Sequence, residues 1–444
     1  MLTLTDGTPG ASFCDGVRRR NFLKAGFLGL GGLSLANLLK LRAAAAEKGQ
    51  PVRNTSVIFI ELAGGPSQFE TYDPKPLAPQ EYRGPFASIQ TTLPGERFCE
   101  LLPEQAKLLD KLTIIRSIRH DKNSHDPSSH LTQTGYYKRG PKGGPNEMPA
   151  IGSVIAKVRG SNHPSLPAYV SIPRVMRNGG SSHLGKSCEP FATGGDPNHP
   201  KFRVRNLSLA RGLDLRRLGS RKELLASLDT ARQLIDLEGA TTAHDHFVDQ
   251  AYNIVAGPRT RLAFDIHQED DRLRDSYGRN TVGQSLLLAR RLVEMGVSCA
   301  TVRVGGWDDH NKMARKIEPR AQSYDQGLAA LVRDLYDRGL QQDVLVVAMG
   351  EFGRTPRFNR NAGRDHWGAL MSVALAGGNL PPGILGTSNS KGEVPLTAVY
   401  RPENVLAMVY RHLGIDPSMT FDDFAGRTRF VLEDRHLIRE LVTA

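Results

Sequence analysis

The sequence predicts an α/β protein, a three-layer sandwich built on a mostly parallel central sheet with an inserted helical cap region. Three observations predict it. Short apolar, β-branched runs recur along the chain. Val344–Met349 (VLVVAM) is one, with none of the polar alternation of a half-exposed strand, so it suits a sheet covered on both faces. Helical stretches separate these runs, the order that gives parallel strands joined by crossover helices. The runs also tend to close on glycine followed by polar or titratable residues. In an open α/β sheet, ligands sit beyond the carboxyl ends of the strands, so such endings mark a site.

Length and composition fit this class. The chain has 444 residues, 39% hydrophobic and 23% charged, more than the roughly 100–200 residues of a typical domain. Its net charge is +12. Residues 1–46 hold six Lys/Arg and two Asp/Glu, which leaves 52 basic against 44 acidic residues in the body. A moderately basic body favours anionic partners, and the absence of a lysine-rich tail argues against nucleic acid. Cysteines at 14, 99, 188 and 299 show neither close pairing nor metal-ligand spacing, so no disulfide framework is expected.

Residues 1–46 read as an export signal. Arg18-Arg19-Arg20-Asn21-Phe22-Leu23-Lys24 precede a glycine-rich apolar run from Ala25 to Leu39, and Ala43–Ala46 offers an Ala-x-Ala cleavage site. The twin-arginine core and modest hydrophobicity point to twin-arginine export, hence to the periplasm or secretion. The run is shorter than the about 20 residues a membrane span needs. No stable membrane anchor is expected once the leader is cleaved. Residues 47–444 then form the α/β domain.

In order, Ser56–Leu62 is the first strand, broken by Ala63-Gly64-Gly65-Pro66-Ser67, with Glu70 and Asp73 beyond. Leu112–Ile118 is the second, followed by His120, Asp121, Asn123, His125, Asp126 and His130, a density of histidine suited to metal binding or proton transfer. Ile151–Val158 reads as helix and Ala168–Ile172 as strand. From about 174 to 277, Gly/Pro-rich loops and charged helical stretches (Arg221–Glu238 and around His246–Ala256) suggest the inserted cap, with His183 and His199 structural. Val282–Met295 is an amphipathic helix feeding the strand Ser298–Val304, which ends in Gly305-Gly306-Trp307-Asp308-Asp309-His310. Tyr324–Arg338 is a helix with Leu328, Leu331, Val332 and Leu335 on its apolar face. After Val344–Met349 come Glu351, Arg354, Arg364, Asp365 and His366 within one loop, then a strand from Met371 to Ala376 and a helix from Pro402 to Leu413. Four strand ends, carrying Ser67/Glu70, His125/His130, Asp308/His310 and Glu351/Asp365/His366, are therefore expected to share one site.

The motifs Gly64-Gly65-Pro66-Ser67, Asp73-Pro74-Lys75-Pro76, Trp307-Asp308-Asp309-His310, Gly350-Glu351-Phe352-Gly353-Arg354-Thr355-Pro356 and Gly363-Arg364-Asp365-His366-Trp367 resemble the hallmark of the bacterial domain of unknown function 1501 family, from about Thr55 to the C-terminus. The resemblance implies a sulfatase-like branch of the alkaline phosphatase superfamily. In that superfamily a helix with an early aspartate (compare Asp325) leads to a strand ending in Ser-Asp-His-Gly. Here Glu351 would replace the aspartate ligand, and Phe352 stands where a metal-binding histidine is kept. The formylglycine pattern Cys/Ser-x-Pro-x-Arg is met only by Cys188-Glu189-Pro190-Phe191-Ala192, which lacks the arginine.

These residues together suggest an exported, metal-dependent hydrolase of phosphate or sulfate esters that does not use formylglycine. One or two divalent metal ions would be held by Glu351, Asp308 and His310 or His366, with Asp365 and Glu70 as further candidate ligands. Arg354 or Arg364 would hold the anionic group, Ser67 would be the nucleophile, and His125 or His130 would protonate the leaving oxygen. The substrate class would be an anionic small-molecule or polysaccharide ester. The alternative is a non-catalytic exported scaffold that binds an anionic glycan or a protein partner.

Overall fold

The computed structural model describes residues 54–204, 207 and 257–442. The proposed leader and the helical stretches Arg221–Glu238 and His246–Ala256 lie outside them. Eight strands form the central sheet: β1 Ser56–Leu62, β2 Leu112–Ile118, β3 Tyr169–Ile172, β4 Phe191–Ala192, β5 Cys299–Val304, β6 Val344–Met349, β7 Met371–Gly377 and β8 Gly383–Leu385. Their order across the sheet is β8-β2-β7-β6-β1-β5-β3-β4. All neighbouring pairs are parallel except the two made by β7, which runs antiparallel to β2 and to β6.

The sheet is the middle of three layers, and β1 shows why. Every residue of β1 is buried. Ile58, Ile60 and Leu62 face one core, whereas Val57 and Phe59 face the other, as the two-residue period of a strand requires. The first core is roofed by α3 (Thr281–Met295) and α4 (Met313–Asp337), and the second by α2 (Ile151–Val158) and α5 (Pro402–His412). A fully buried aliphatic side chain contributes roughly 1.5–3 kcal/mol, so runs such as β1 and β6 set the register of the sheet firmly.

Two helices depart from the sequence reading. Helix α4 begins eleven residues before Tyr324, because Met313, Ile317 and Ala321 continue the buried stripe of Tyr324 and Leu328, and Pro319 within it does not end the helix. Residues expected as a histidine-rich loop form α1, His125–Thr134. Its serines and threonines are poor helix formers that hid it, but in place Ser129 and Thr134 donate back to the carbonyls of His125 and His130. Of the expected insertion, the described part supplies the edge strand β4 and two short helices, Pro258–Phe264 and Asp271–Tyr277. Cys99, Cys188 and Cys299 are buried free thiols.

Strands β1, β2, β5 and β6 point the same way, so their carboxyl ends lie along one edge. Because β7 is antiparallel, the loop that leaves β6 re-enters the sheet at the same edge. That loop carries residues 350–370.

Candidate metal centre

The centre is built around one carboxylate. Asp308 follows β5 and Trp307, whose side chain is buried. Its Oδ1 lies 3.0 Å from His310 Nε2, 3.1 Å from His366 Nε2 and 2.7 Å from Arg354 Nη2. Its Oδ2 lies 3.1 Å from His125 Nε2. The Nε2 atoms of His310 and His366 are 2.9 Å apart.

The other nitrogen of each ring is fixed by an oxygen that can only accept. Glu351 Oε1 is 2.6 Å from His125 Nδ1, Asp365 Oδ1 is 2.7 Å from His310 Nδ1, and the Asn123 carbonyl is 3.0 Å from His366 Nδ1. The three Nδ1 atoms therefore carry protons. Burial pushes the His366 imidazole down, and with its proton on Nδ1 toward the Asn123 carbonyl the neutral ring turns its Nε2 lone pair toward Asp308 and His310. At most one proton can lie between His310 and His366. Imidazole nitrogens and a carboxylate crowd together here, each imidazole backed by an acceptor on its far nitrogen, a set of donors that could hold a metal ion.

Side chains at the edge keep this geometry. Phe352 is wholly buried and stacks on His366, with ring centroids 4.3 Å apart and planes 27° apart. Both carboxylate oxygens of Glu351 accept from the Gly64 N–H at 3.0 Å. Gly64 has φ +116°, and a Cβ there would stand 2.5 Å from the Asp308 nitrogen, so only glycine lets the β1 end lie against the Asp308 backbone. Gly363 serves His310 in the same way: a Cβ would meet the His310 carbonyl carbon at 2.1 Å. Burial raises the Asp308 carboxyl, but the hydrogen bond from Arg354 and the charge of its guanidinium outweigh it and hold the group well below the usual range. The hydrogen bond to Glu351 raises His125, against its burial. The hydrogen bond from His310 lowers Asp365.

Residues 54–442 match the family described as protein of unknown function (DUF1501). The chain belongs to this family. No curated protein matches the sequence of this DUF1501 chain. Among solved structures it is similar to Ps i-CgsB (12% identity, 82% of this chain and 72% of that chain, TM-score 0.41). It is also similar to the PsFucS1 sulfatase from Pseudoalteromonas sp. (11%, 86% and 71%, TM-score 0.37) and to alkaline phosphatase from the Antarctic bacterium TAB5 (10%, 82% and 99%, TM-score 0.39).

The DUF1501 chain sorts its candidate residues unequally. Asp308, His310 and His366 meet directly, and His125 joins them; the ligand atoms of His125, Asp308 and His366 all lie within 4.8 Å of one another. Glu351 and Asp365, expected as ligands, stand behind His125 and His310 as their hydrogen-bond partners. The remaining candidates are engaged elsewhere. His130 is buried inside α1, with Nδ1 on the Tyr136 carbonyl and Nε2 accepting from Glu147 and Met148. Glu70 and Arg364 are buried and paired at 2.9 Å, with the guanidinium between the Phe69 and Phe358 rings. Arg354 is also buried. It spends its guanidinium on the carbonyls of Gly64, Gly65, Trp307 and Arg364 as well as on Asp308, so it ties strand ends together and is not free to clamp a substrate. The buried Ser67 hydroxyl accepts from the Phe69 N–H at 3.3 Å. Asp325, compared above with the superfamily's early aspartate, accepts from the Glu104 and Gln105 N–H groups and is pushed up to about 6 by burial.

Two residues of the polar β2 end to which the sequence assigns no individual role, Asn123 and His120, support the centre. The Asn123 carbonyl fixes His366, and the Asn123 side chain accepts from Gly368 N at 2.6 Å. His120 Nε2 meets the Glu351 carbonyl at 2.8 Å. Backbone contacts of this kind leave no trace in residue type beyond the polar character of the strand end.

The donor set suits a borderline divalent ion such as zinc, which takes imidazole and carboxylate together, better than magnesium or calcium, which favour oxygen donors.

Proposed function

We propose that this protein is an exported, metal-dependent hydrolase of phosphate or sulfate esters that works without formylglycine. One observation carries the reading, the convergence of the His310 and His366 imidazoles on the Asp308 carboxylate with each ring braced from behind. Asp308, His310 and His366 would hold one divalent ion. When bound, such an ion supplies Lewis acidity toward the ester oxygens. Asp365 and the Asn123 carbonyl keep the two ligand rings in the tautomer that offers Nε2. His125, with Nδ1 fixed by Glu351 and Nε2 facing Asp308, is placed to give a proton to the leaving oxygen. Water is the nucleophile in this reading, since Ser67 is buried and its hydroxyl is turned to the Phe69 amide. The centre is open to solvent on the Asp308 side, where a substrate can enter.

The burial of Arg354 and Arg364 favours a second reading, a non-catalytic exported scaffold that binds an anionic glycan or protein partner, because the two arginines expected to grip a reacting anion are unavailable. Metal analysis of the folded full-length protein, followed by a panel of aryl phosphates and sulfates, separates the two. The hydrolase reading expects about one divalent ion per chain, turnover of at least one ester, loss of the ion in His366→Ala, and loss of turnover with the ion retained in His125→Ala. A metal-free, inert protein overturns it and leaves the scaffold.

A further inference from the structure

We infer that the ligand recognised beside this centre is an acidic polysaccharide carrying several charges, gripped by a cationic rim on two loops that flank His125. This deepens the hydrolase reading and rests on it only for the claim of turnover. The first loop, after α1, is pinned to Asp126, the residue next to His125. Lys138 Nζ and Gly143 N both donate to Asp126 Oδ2 at 2.9 Å. The second loop, after β3, reaches the same residue, with Asn178 Nδ2 donating to the Asp126 carbonyl at 3.0 Å and to Oδ1 at 3.2 Å. The loops are also tied to each other, since Asn146 Nδ2 donates to the Asn178 carbonyl at 2.7 Å. This bracing fixes their positions relative to His125.

The same hydrogen bonds use up the acids of these loops. Asp126 is spent on Lys138 and the two loops. Glu147 accepts from the Arg139 and Gly140 N–H groups, and Glu189 from the Ser181 hydroxyl at 2.8 Å. The cations are treated differently. Arg139, Lys142 and Arg174 are exposed, and among the described residues none of them has a carboxylate within salt-bridge distance. Arg177, also exposed, faces the buried Glu61. The acids keep their charge, but the two loops carry Lys138, Arg139, Lys142, Arg174, Arg177 and Lys186 against Asp126, Glu147 and Glu189, so the segments braced to Asp126, next to His125, remain net positive. A monoester needs one charged group held at the reacting centre. Cations set on two separate loops suit charges spaced along a chain. The aromatic rings of the first loop, Tyr136 and Tyr137, are half-buried and already engaged, Tyr136 through its hydroxyl on the Phe430 carbonyl and Tyr137 beneath Lys122 and Arg401. This leaves little open ring for a nucleobase to stack on, so a carbohydrate polyanion is favoured over nucleic acid.

The test uses the full-length protein and the triple variant Arg139→Ser/Lys142→Ser/Arg174→Ser, with heparin as probe and uncharged dextran and single-stranded DNA as comparators. Thermal unfolding first establishes that the variant is folded, as expected for three exposed side chains. The parent should bind heparin with an affinity that falls as salt rises, and should ignore dextran. The variant should bind heparin on the order of tenfold more weakly at low ionic strength, with a smaller difference at high salt, and should keep the parent's metal content and its activity on small aryl esters. Equal heparin binding by parent and variant overturns the inference, as does parental binding to single-stranded DNA that matches or exceeds heparin. The binding arm needs no turnover. Heparin binding that depends on the three cations in an inert protein therefore sinks the hydrolase reading alone, whereas ester turnover with indifferent heparin binding sinks this one alone.

Discussion

Asp308→Asn probes the centre with little damage to the fold, and its consequence can be worked from the contacts. The amide keeps the volume and one acceptor oxygen. It removes the charge that three imidazoles and Arg354 share, and it replaces a possible ligand oxygen with an N–H donor facing lone pairs. Arg354 is not orphaned, because the carbonyls of Gly64, Gly65, Trp307 and Arg364 still accept from it. The Asp308 side chain is 42% exposed, so loss of the ion pair costs only about 1 kcal/mol. The metal effect is larger. An ion present at 100 times its Kd stabilises the folded state by about 2.7 kcal/mol. For a domain of this length that corresponds to a rise in Tm of about 3 °C. The assay is thermal unfolding of metal-stripped protein titrated with zinc. Parent protein should climb by this amount and keep climbing with the logarithm of zinc concentration, whereas Asp308→Asn should start slightly lower and stay flat. An equal zinc-dependent rise in the variant would place the ion elsewhere, and no rise in either protein would refute the centre.

Three further outcomes follow from the same contacts. Asp365→Ala removes the acceptor that sets His310 without touching the core, since the Asp365 side chain is 54% exposed. Zinc affinity by calorimetry should fall about 10–100-fold with Tm of the metal-free protein unchanged, and an unaltered affinity would deny Asp365 its orienting role. Arg364→Ala strands a buried Glu70 and leaves the Tyr82, Thr355 and Pro356 carbonyls unpaired. Denaturant unfolding should show a loss of about 3–5 kcal/mol, and a loss below about 1 kcal/mol would show that the pair is not structural. Glu61 is raised to about 7, first by burial and then by Glu351, against the pull of Arg303. A carboxyl raised on folding supports the folded state fully below its unfolded value, near 4.5, and loses that support as pH rises through 7. Glu61→Gln should thus gain roughly 3 kcal/mol relative to parent between pH 4.5 and pH 8, read as the difference in urea unfolding at the two ends. A pH-independent difference would show that Glu61 does not titrate in this window.

Much of the architecture was legible because burial on both faces of a sheet leaves a plain mark. Strands such as Ser56–Leu62 and Val344–Met349 show short runs of four to six consecutive apolar, mostly β-branched residues with glycine soon after them, the mark of a strand covered on both faces. The strand-end rule then located the centre, and Asp308, His310 and His366 meet where those ends meet. The roles of the remaining polar residues were not legible, and the reason is physical. Composition reports which groups are present, whereas their availability depends on what they are bonded to. Arg354 and Arg364 look alike in sequence to anion-binding arginines, yet each is saturated by main-chain carbonyls that any residue could supply. His130 looks like His125. It lies five residues further along α1, where helical periodicity turns it inward to the Tyr136 carbonyl. The helix itself escaped notice because its serines and threonines are intrinsically poor helix formers that succeed here by bonding to their own backbone and packing against α5.

The centre also depends on a feature of topology that no local motif records. Four of its strands run parallel, and a fully parallel sheet would send the chain away from the site after Val344–Met349 and bring it back only from the opposite edge. The antiparallel β7 removes that detour, so one loop both leaves and re-enters at the ligand edge and can carry Glu351 at its start and His366 near its end. Phe352 makes sense on the same terms. Its buried ring lies beneath His366 as a stacking surface, and Asn123 from the β2 end holds that imidazole from the other direction. The loop thus braces the His366 ring on two sides. The focal carboxylate is Asp308, while the oxygens of Glu351 are taken by Gly64 and His125.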